Sequence, residues 1–281
     1  MDGIDINYSN KDGCTTLYVA SQEGHIDVVK VLIKAGGNVN QATTTDGTSP
    51  LWMASQKGNI DTVKALIKAG GNVNQALTTT GCSPLWMATQ DGENDIAKAL
   101  IKAGCNVNQA RTTDGASPLY IASEKGDVDL VKVLLKADGN VNQAANDGAT
   151  PLHIATQENY PEIVQKLLST LNININQPMN ESTDESGATP LIIGTYLGNY
   201  ECVQHLLQHS TMNTTLTFEN KTALQYAQPN ERASAWNFLE NQINMEGRAK
   251  CLDLLSTLSQ FSFSLPSTFQ GETKEEPTED N

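Results

Sequence analysis

The sequence predicts an all-α solenoid, a row of stacked helix pairs joined by β-turn fingers and closed by C-terminal capping helices. Three observations lead to this prediction: glycines recur at a nearly fixed interval, a helix-start signal follows each glycine, and two short apolar stripes follow each start. The intervals are 34, 34, 34, 33 and 39 residues, between Gly13, Gly47, Gly81, Gly115, Gly148 and Gly187. Self-similarity at such a period indicates a repeat architecture.

Residues 46–75 show how one unit begins. Ser49 is suited to cap a helix, and Pro50 occupies the first helical position, where its fixed φ and missing N–H are tolerated. Apolar residues then recur at helical spacing in two runs of about ten residues, each marginal as an isolated helix in water. Because such a pair buries its apolar side only against copies of itself, we expect a stacked array.

Local signals divide the unit into its two helices. Gly58 is expected to end the first helix, and Asn59 to cap the second. Gly70 or Gly71 is expected to provide the left-handed residue that stops the second helix.

The finger that joins consecutive units varies in length. Six positions separate Asn142 from Gly148, whereas seven separate Asn40 from Gly47. The extra residue of the 34-residue steps is therefore expected in the finger, among residues 43–45 and their equivalents. Residues 177–186 form an enlarged polar finger, and insertions of this kind in surface loops are thermodynamically cheap.

The recurring motif resembles the ankyrin repeat. Its parts are an Asp-Gly turn, Ser/Thr-Pro-Leu, a breaking glycine and a closing Gly-x-x-Val-Asn, and the copy nearest to the family pattern reads TPLHIA at residues 150–155. The resemblance covers residues 1–228 and implies about six full ankyrin-type helix pairs with a degenerate seventh. Residues 229–260 are predicted to form capping helices, and residues 261–281 a disordered acidic tail.

The resemblance implies that partner proteins bind through the fingertips and the exposed ends of the first helices. Carried over by motif, the candidate partner-binding residues are Thr45, Asp46, Trp52, Gln56, Lys57, Thr80, Trp86, Gln90, Asp91, Asp114, Tyr120, Glu124, Lys125, Gln157, Glu158, Tyr196 and Leu197. These residues are mostly polar and of mixed charge, so an ordinary solvated surface is the alternative interpretation.

One position of each repeat carries a ring or a large apolar side chain. This ring column consists of Tyr18, Trp52, Trp86, Tyr120, His153 and Ile192. In the ankyrin family the corresponding side chain is largely enclosed between neighbouring repeats, which favours packing. The alternative is a partly exposed aromatic stripe that anchors a partner.

Three further residue patterns have both a structural and a functional interpretation. Cys202, His205 and His209 have metal-ligand spacing on one predicted helix but lack a fourth ligand, so burial is favoured. Lysines of the second helices follow aspartates at i, i+3, which favours a solvated face over a basic strip for an acidic partner. The closing asparagines, which the resemblance implies brace the turn and can be hydroxylated, are Asn40, Asn74, Asn108, Asn142 and Asn176.

Composition excludes several classes of protein. The net charge of −14 and the lack of a basic footprint argue against nucleic-acid binding. Five cysteines without a C-x-x-C pair indicate a reducing compartment. The acidic N-terminus does not have the pattern of a secretory signal, and no apolar run is long enough to insert into a membrane. An intracellular, cytoplasmic location is therefore expected.

The predicted function is that of a non-catalytic, monomeric scaffold or adaptor that binds one or more partner proteins through the concave face and the fingers. No catalytic motif, cofactor site or metal site is predicted. The alternative is a targeting or substrate-recognition subunit of a larger enzyme complex that docks through residues 229–281. A metal-binding or enzymatic protein built around the region of Cys202 and His209, or around the C-terminal helices, is the third possibility.

Overall fold

The computed structural model describes residues 5–179, 187–218 and 221–226 of the 281-residue chain. Within these ranges the protein is an all-α solenoid of stacked helix pairs, as the sequence predicts. The first helices of the pairs are α1 (Thr16–Gln22), α3 (Pro50–Gln56), α5 (Pro84–Gln90), α7 (Pro118–Glu124), α9 (Pro151–Gln157) and α11 (Pro190–Leu197). The second helices are α2 (Ile26–Lys34), α4 (Ile60–Lys68), α6 (Asn94–Lys102), α8 (Val128–Lys136), α10 (Pro161–Leu168) and α12 (Tyr200–Gln208).

Each first helix begins as its sequence predicts. The Ser49 side chain accepts a hydrogen bond from the Trp52 N–H, and Pro50 is the first helical residue of α3. The equivalent bond recurs at Ser83 and Ser117. Such caps typically stabilise a helix by about 1 kcal/mol, which matters for helices of only seven residues.

The second helices are held by contacts with the preceding repeat. Asn59 occupies the N-cap position of α4, but its side chain makes no capping bond, so the predicted capping role is wrong. Its Nδ2 group donates instead to the carbonyls of Ser21 and Gln22, both at 3.0 Å, at the end of the preceding first helix. The residue therefore joins two repeats.

Two consecutive glycines after α4 have different roles. Gly70 has φ +87°, so it is the left-handed residue that stops the helix, and open space surrounds it. Gly71 has no positive φ, but a Cβ there would lie 2.9 Å from the Leu66 carbonyl oxygen. The first glycine is required by backbone conformation and the second by close packing.

A continuous apolar core runs through the array between the two layers of helices. Leucines of the first helices, such as Leu51 and Leu85, are completely buried, as are Leu66 and Leu100 of the second helices. Burying one such side chain contributes about 1.5–3 kcal/mol. Each first helix packs against the first helix of the next repeat, which extends the core along the stack.

Closing asparagines link the repeats on the side of the second helices. Asn40 Oδ1 accepts the Asn72 N–H at 2.6 Å, and Asn40 Nδ2 donates to the Gly70 carbonyl at 3.1 Å. This confirms the predicted bracing role of the asparagine. The same Oδ1 acceptor bond is made by Asn7, Asn74, Asn108, Asn142 and Asn176.

The fingers form a second, hydrogen-bonded row. Within a finger, Thr43 N bonds Thr48 O, whereas Ala145 N bonds Ala149 O, so the extra residue of the 34-residue repeats lies inside the finger as predicted. Neighbouring fingers are joined by backbone bonds of 2.8–2.9 Å, and the donor–acceptor pairs are Thr44–Asp12, Thr78–Asp46, Thr112–Thr80 and Asn146–Asp114.

The degenerate seventh copy is partly described. The strands β1 (Thr217–Phe218) and β2 (Lys221–Thr222) pair antiparallel, and a short helix α13 (Ala223–Tyr226) packs against α11. The predicted capping helices and acidic tail, residues 229–281, lie outside the described residues, as does most of the enlarged finger. No helix of the described chain has the length and apolar character needed to cross a membrane.

Candidate functional site

We call the surface made by the fingers and the first helices the finger face, and the candidate residues belong to these elements. Eight are exposed, namely Thr45, Lys57, Asp91, Lys125, Gln157, Glu158, Tyr196 and Leu197. Seven are half-buried, namely Asp46, Gln56, Thr80, Gln90, Asp114, Tyr120 and Glu124. Two, Trp52 and Trp86, are buried.

The two tryptophans of the ring column are core residues. Trp52 is 4% exposed and Trp86 is 2% exposed, so neither can form part of an exposed aromatic stripe, and that interpretation is wrong for both. Each indole Nε1–H donates to a finger carbonyl of the next repeat at 2.9 Å, from Trp52 to Cys82 and from Trp86 to Ala116. They bind neighbouring repeats to each other, as the packing interpretation predicts.

His153 makes the same link between repeats with a smaller ring. Its Nδ1 accepts the Thr150 N–H at 3.1 Å, which leaves the proton on Nε2, and Nε2 faces the Ala188 carbonyl at 3.3 Å. Burial lowers the pKa of His153 to about 4, although the carbonyls of Ala188 and Gln177 act in the opposite direction. The ring is therefore neutral at physiological pH and has a structural role.

Tyr120 differs from the other members of the ring column, all six of which the structure describes. It is half-buried, whereas the other five are at most 9% exposed. It lines a cavity of about 290 Å³ between two fingers, together with Asp114 and Asp147. Burial raises the pKa of the Tyr120 hydroxyl to about 12, and the carboxylates of Asp147 and Glu124 add to the effect.

Arg111 is a finger residue that the sequence analysis missed. Its guanidinium lies over the Trp86 ring, 4.3 Å from the centroid, and pairs with Asp114 through Nε–Oδ1 at 2.9 Å and through Nη2–Oδ2. The hydrogen bond from Arg111 lowers the pKa of Asp114. The sequence could have drawn attention to this residue, because Arg111 is the only arginine before Arg232.

The finger carboxylate of Asp46 is engaged within its own turn. Its Oδ1 accepts hydrogen bonds from the hydroxyls of Thr43 at 2.7 Å and Thr48 at 2.6 Å. Burial acts to raise the pKa of Asp46, but these hydrogen bonds outweigh it and the pKa is lowered. Asp46 thus holds the finger shape and presents a permanent negative charge at neutral pH.

At the far end of the finger face, apolar side chains reach solvent. Tyr196 is 53% exposed and Leu197 is 45% exposed, at the end of α11. The Tyr196 ring meets the Tyr226 ring edge to face, with centroids 5.9 Å apart. These residues lie on the same edge of the array as the charged helix ends of the earlier repeats.

The metal interpretation of the Cys202 region is not supported. Cys202 is fully buried, its thiol lies 3.6 Å from Asn159 Oδ1, and burial raises its pKa to about 12. His205 and His209 are half-buried. Among the described residues, no three His, Cys, Asp or Glu side chains are grouped as metal ligands.

The outer face carries the lysine columns of the second helices. Lys30 lies 3.9 Å from Asp27, and Lys98 lies 3.9 Å from Asp95, both as exposed i, i+3 pairs. Pairs of this kind contribute a few tenths of a kcal/mol. Their exposure and local neutralisation agree with the interpretation as a solvated face.

Comparison with known proteins places most of the described repeats in one family. The family model described as ankyrin repeats (3 copies) matches residues 2–76, 35–111 and 85–179, which together make up more than half of the chain.

Two individual proteins show the extent of similarity. The crystal structure of the human ASB11 ankyrin repeat domain superposes with a TM-score of 0.63 at 26% identity, covering 80% of this chain and 96% of that one. Cortactin-binding protein 2 from Plecturocebus moloch is 49% identical over 39 residues. That alignment covers 14% of this chain and 2% of the length of the curated relative.

Proposed function

This chain belongs to the ankyrin-repeat family, and on that premise we propose that it is a non-catalytic scaffold or adaptor for partner proteins. Ankyrin repeats are generally protein–protein interaction modules. The partner-binding surface is the concave face of the array together with its fingers, which is the finger face defined above. The fold alone does not give a function, so the proposal rests on what this surface offers.

The observation that carries the proposal is the hydrogen-bonded row of fingers. The Thr78 N–H donates to Asp46 O and the Thr112 N–H donates to Thr80 O, both at 2.8 Å, so each fingertip is held by the one before it. A surface fixed in this way loses little conformational entropy when a partner docks. Its exposed side chains stand at a regular spacing, which suits an extended or repeated epitope.

The alternative proposal, a substrate-recognition subunit of a larger enzyme complex, uses the same surface. It differs in assigning residues 229–281 to docking, and those residues lie outside the described structure. Similarity to the ASB11 ankyrin repeat domain concerns the array and not that segment. Both proposals therefore require a partner on the finger face, and one experiment tests that requirement first.

The test compares partner binding by charge-reversal variants on opposite faces. Lys57→Glu and Lys125→Glu change exposed residues of the finger face, whereas Lys68→Glu and Lys102→Glu change exposed residues of the outer face. Affinity purification with each double variant, followed by binding measurements with the purified partner, is expected to show at least a tenfold loss only for the finger-face pair.

Each outcome of this comparison is decisive. Equal loss with both double variants, loss only with the outer-face pair, or no loss with either pair would overturn the assignment of the finger face. Because all four lysines are exposed, thermal unfolding should show nearly the same stability for both double variants. Deletion of residues 229–281 separates the two proposals, since only the alternative predicts loss of a second, docking partner.

A further inference from the structure

In one step of the array, a finger residue places a cation over the aromatic ring of the preceding first helix. Arg111 lies 4.3 Å over the Trp86 ring and pairs with Asp114, so an aromatic face and a carboxylate enclose the guanidinium. Stacking on an aromatic ring and paired bonding to a carboxylate are the two contacts that a guanidinium makes best.

The next step along the array, whose finger is one residue shorter, has an aromatic ring and a carboxylate in the corresponding places but no cation. Arg111 N bonds Ala116 O and Ala145 N bonds Ala149 O, so Ala145 occupies the position of Arg111. The carboxylate is retained, because Asp147 Oδ1 accepts the Ala149 N–H at 2.9 Å just as Asp114 Oδ1 accepts the Ala116 N–H at 3.1 Å.

An aromatic ring is retained as well, and part of it is exposed to solvent. Tyr120 takes the position of Trp86, and with a methyl group at Ala145 in place of the arginine it is half-buried rather than buried. In the preceding step, Leu77 occupies the position of Arg111 and packs against the cluster that contains Trp52. The rings followed by Thr43, Leu77 or Arg111 at this finger position are buried, whereas the ring followed by Ala145 is half-buried.

The step at Tyr120 contains a cavity whose lining includes carboxylates. Its volume is about 290 Å³, and its lining includes Tyr120, Ala145 and Asp147. Asp114 also lines it, but its charge is offset by Arg111. Among the described residues, no lysine or arginine forms an ion pair with Asp147, so the carboxylate is available to an incoming charge.

From this repeat-to-repeat comparison we propose that the cavity between the finger of residues 111–116 and the finger of residues 145–149 binds an arginine side chain of the partner protein. The guanidinium would lie on the Tyr120 ring and pair with Asp147, in the place that Arg111 occupies one step earlier. The inference rests on the proposed function, because it names a chemical feature of the partner that the finger face recognises. Arginine is preferred to lysine since only a planar guanidinium stacks and pairs at once.

A small probe tests the cavity without knowledge of the partner. N-acetyl-arginine N-methylamide is titrated into the full chain labelled with ¹⁵N, and the backbone amides are followed by NMR. We expect saturable shifts concentrated at Tyr120, Asn146 and Asp147. The citrulline analogue, which has the same shape without the charge, should bind at least about fivefold more weakly. An absence of saturable shifts at these residues, equal shifts with both probes, or shifts spread over the whole surface would overturn the proposal.

Variants taken from the other repeats provide matched controls. Ala145→Arg introduces the side chain found at position 111, and Ala145→Leu introduces the one found at position 77. Because both side chains occur at this finger position in other repeats, both variants should keep the fold. Each should fill the cavity and abolish probe binding. Asp147→Asn keeps an oxygen for the Ala149 N–H and should weaken binding about fivefold. Asp12→Asn changes the carboxylate that precedes the finger glycine Gly13, far along the array and outside the candidate residues, and should leave probe binding unchanged. Retained binding in both Ala145 variants would refute the site.

The failure of this inference is distinguishable from the failure of the proposed function. If the finger-face lysine variants lose the partner but Ala145→Arg does not, the face is correct and the arginine site is wrong. In the opposite case, the probe binds and Ala145→Arg abolishes probe binding, but the lysine variants and Ala145→Arg still bind the partner. The cavity is then correct and the proposed function is wrong. A tenfold or greater loss of partner affinity in Ala145→Arg supports both.

Discussion

The indole Nε1–H of Trp86 donates to the carbonyl oxygen of Ala116, in the next repeat, at 2.9 Å. His153 directs its Nε2 at the carbonyl of Ala188 in the same geometric relation, at 3.3 Å. Two chemically different rings therefore satisfy the carbonyl at the equivalent finger position. This relation explains why tryptophan replaces the motif histidine here without loss of the link between repeats.

We predict that Trp86→Phe destabilises the protein by about 1–3 kcal/mol, because it leaves the Ala116 carbonyl without its donor while retaining an aromatic ring. Trp86→Ala should cost more, about 3–5 kcal/mol, since a cavity is added. Equilibrium unfolding in urea measures both values. Tyr120→Phe is the control, and its half-buried ring should change stability by less than about 0.5 kcal/mol. Equal losses at the two positions would contradict the role of the indole N–H.

The protein should lose stability in mild acid because of His153. Its pKa is about 4 in the folded protein and about 6.5 when unfolded, so the unfolded chain binds the proton more readily. The contribution of the neutral ring is complete above pH ~6.5 and is lost as the pH falls toward 4. Over that window we expect a loss of roughly 3 kcal/mol from this residue.

The measurement is the free energy of unfolding at several values of pH between 7 and 4. His153→Trp, which copies the ring found at positions 52 and 86, removes the titration and keeps the N–H donor. His153→Gln is a second variant in case the larger ring is not accommodated. An unchanged pH slope in both variants would show that other groups cause the acid sensitivity.

The sequence predicts local features of the array well, because their causes are local. Ser49 caps α3 through an atom three residues away, and the extra finger residue follows from counting between Asn40 and Gly47. The prediction that Asn59 caps α4 was wrong because its actual partners are distant in the sequence. The Asn59 side-chain amide donates to the carbonyls of Ser21 and Gln22, and a local sequence pattern cannot predict a partner 38 residues away.

The candidate site was harder to predict for the same reason. The motif placed seventeen residues on the finger face, but it could not show that the two tryptophans point inward while Tyr120 is partly open. The difference coincides with the residue of the following finger, which is Leu77 beside Trp52 and Arg111 beside Trp86 but only Ala145 beside Tyr120. Comparing equivalent finger residues in the sequence, repeat by repeat, would have identified the small residue.

Asn40→Ala should weaken the link between two repeats. The substitution removes the acceptor of the Asn72 N–H and the donor to the Gly70 carbonyl, and we expect a loss of about 1–3 kcal/mol in unfolding free energy. Asn40→Asp keeps the acceptor but places a charge beside the carbonyl, so it should be destabilising as well. Hydrogen exchange of the Asn72 amide reports the bond directly. Unchanged protection in both variants would exclude the bracing role.

Arg111→Ala should uncover Trp86 in the way that Ala145 leaves Tyr120 uncovered. Removal of the guanidinium takes away the 4.3 Å contact with the ring and the pair with Asp114, while the indole bond to Ala116 is retained. The loss of stability should therefore be modest, about 0.5–2 kcal/mol. Quenching of tryptophan fluorescence by acrylamide should increase, and the increase should disappear when Trp86→Phe is added.

Lys125→Ala is the matched control for this change, because it removes one exposed positive charge from the same repeat. It should alter neither stability nor quenching. If Arg111→Ala behaves like Lys125→Ala, the side chain at this finger position does not cover the ring. The half-exposure of Tyr120 would then have a cause other than the small side chain of Ala145.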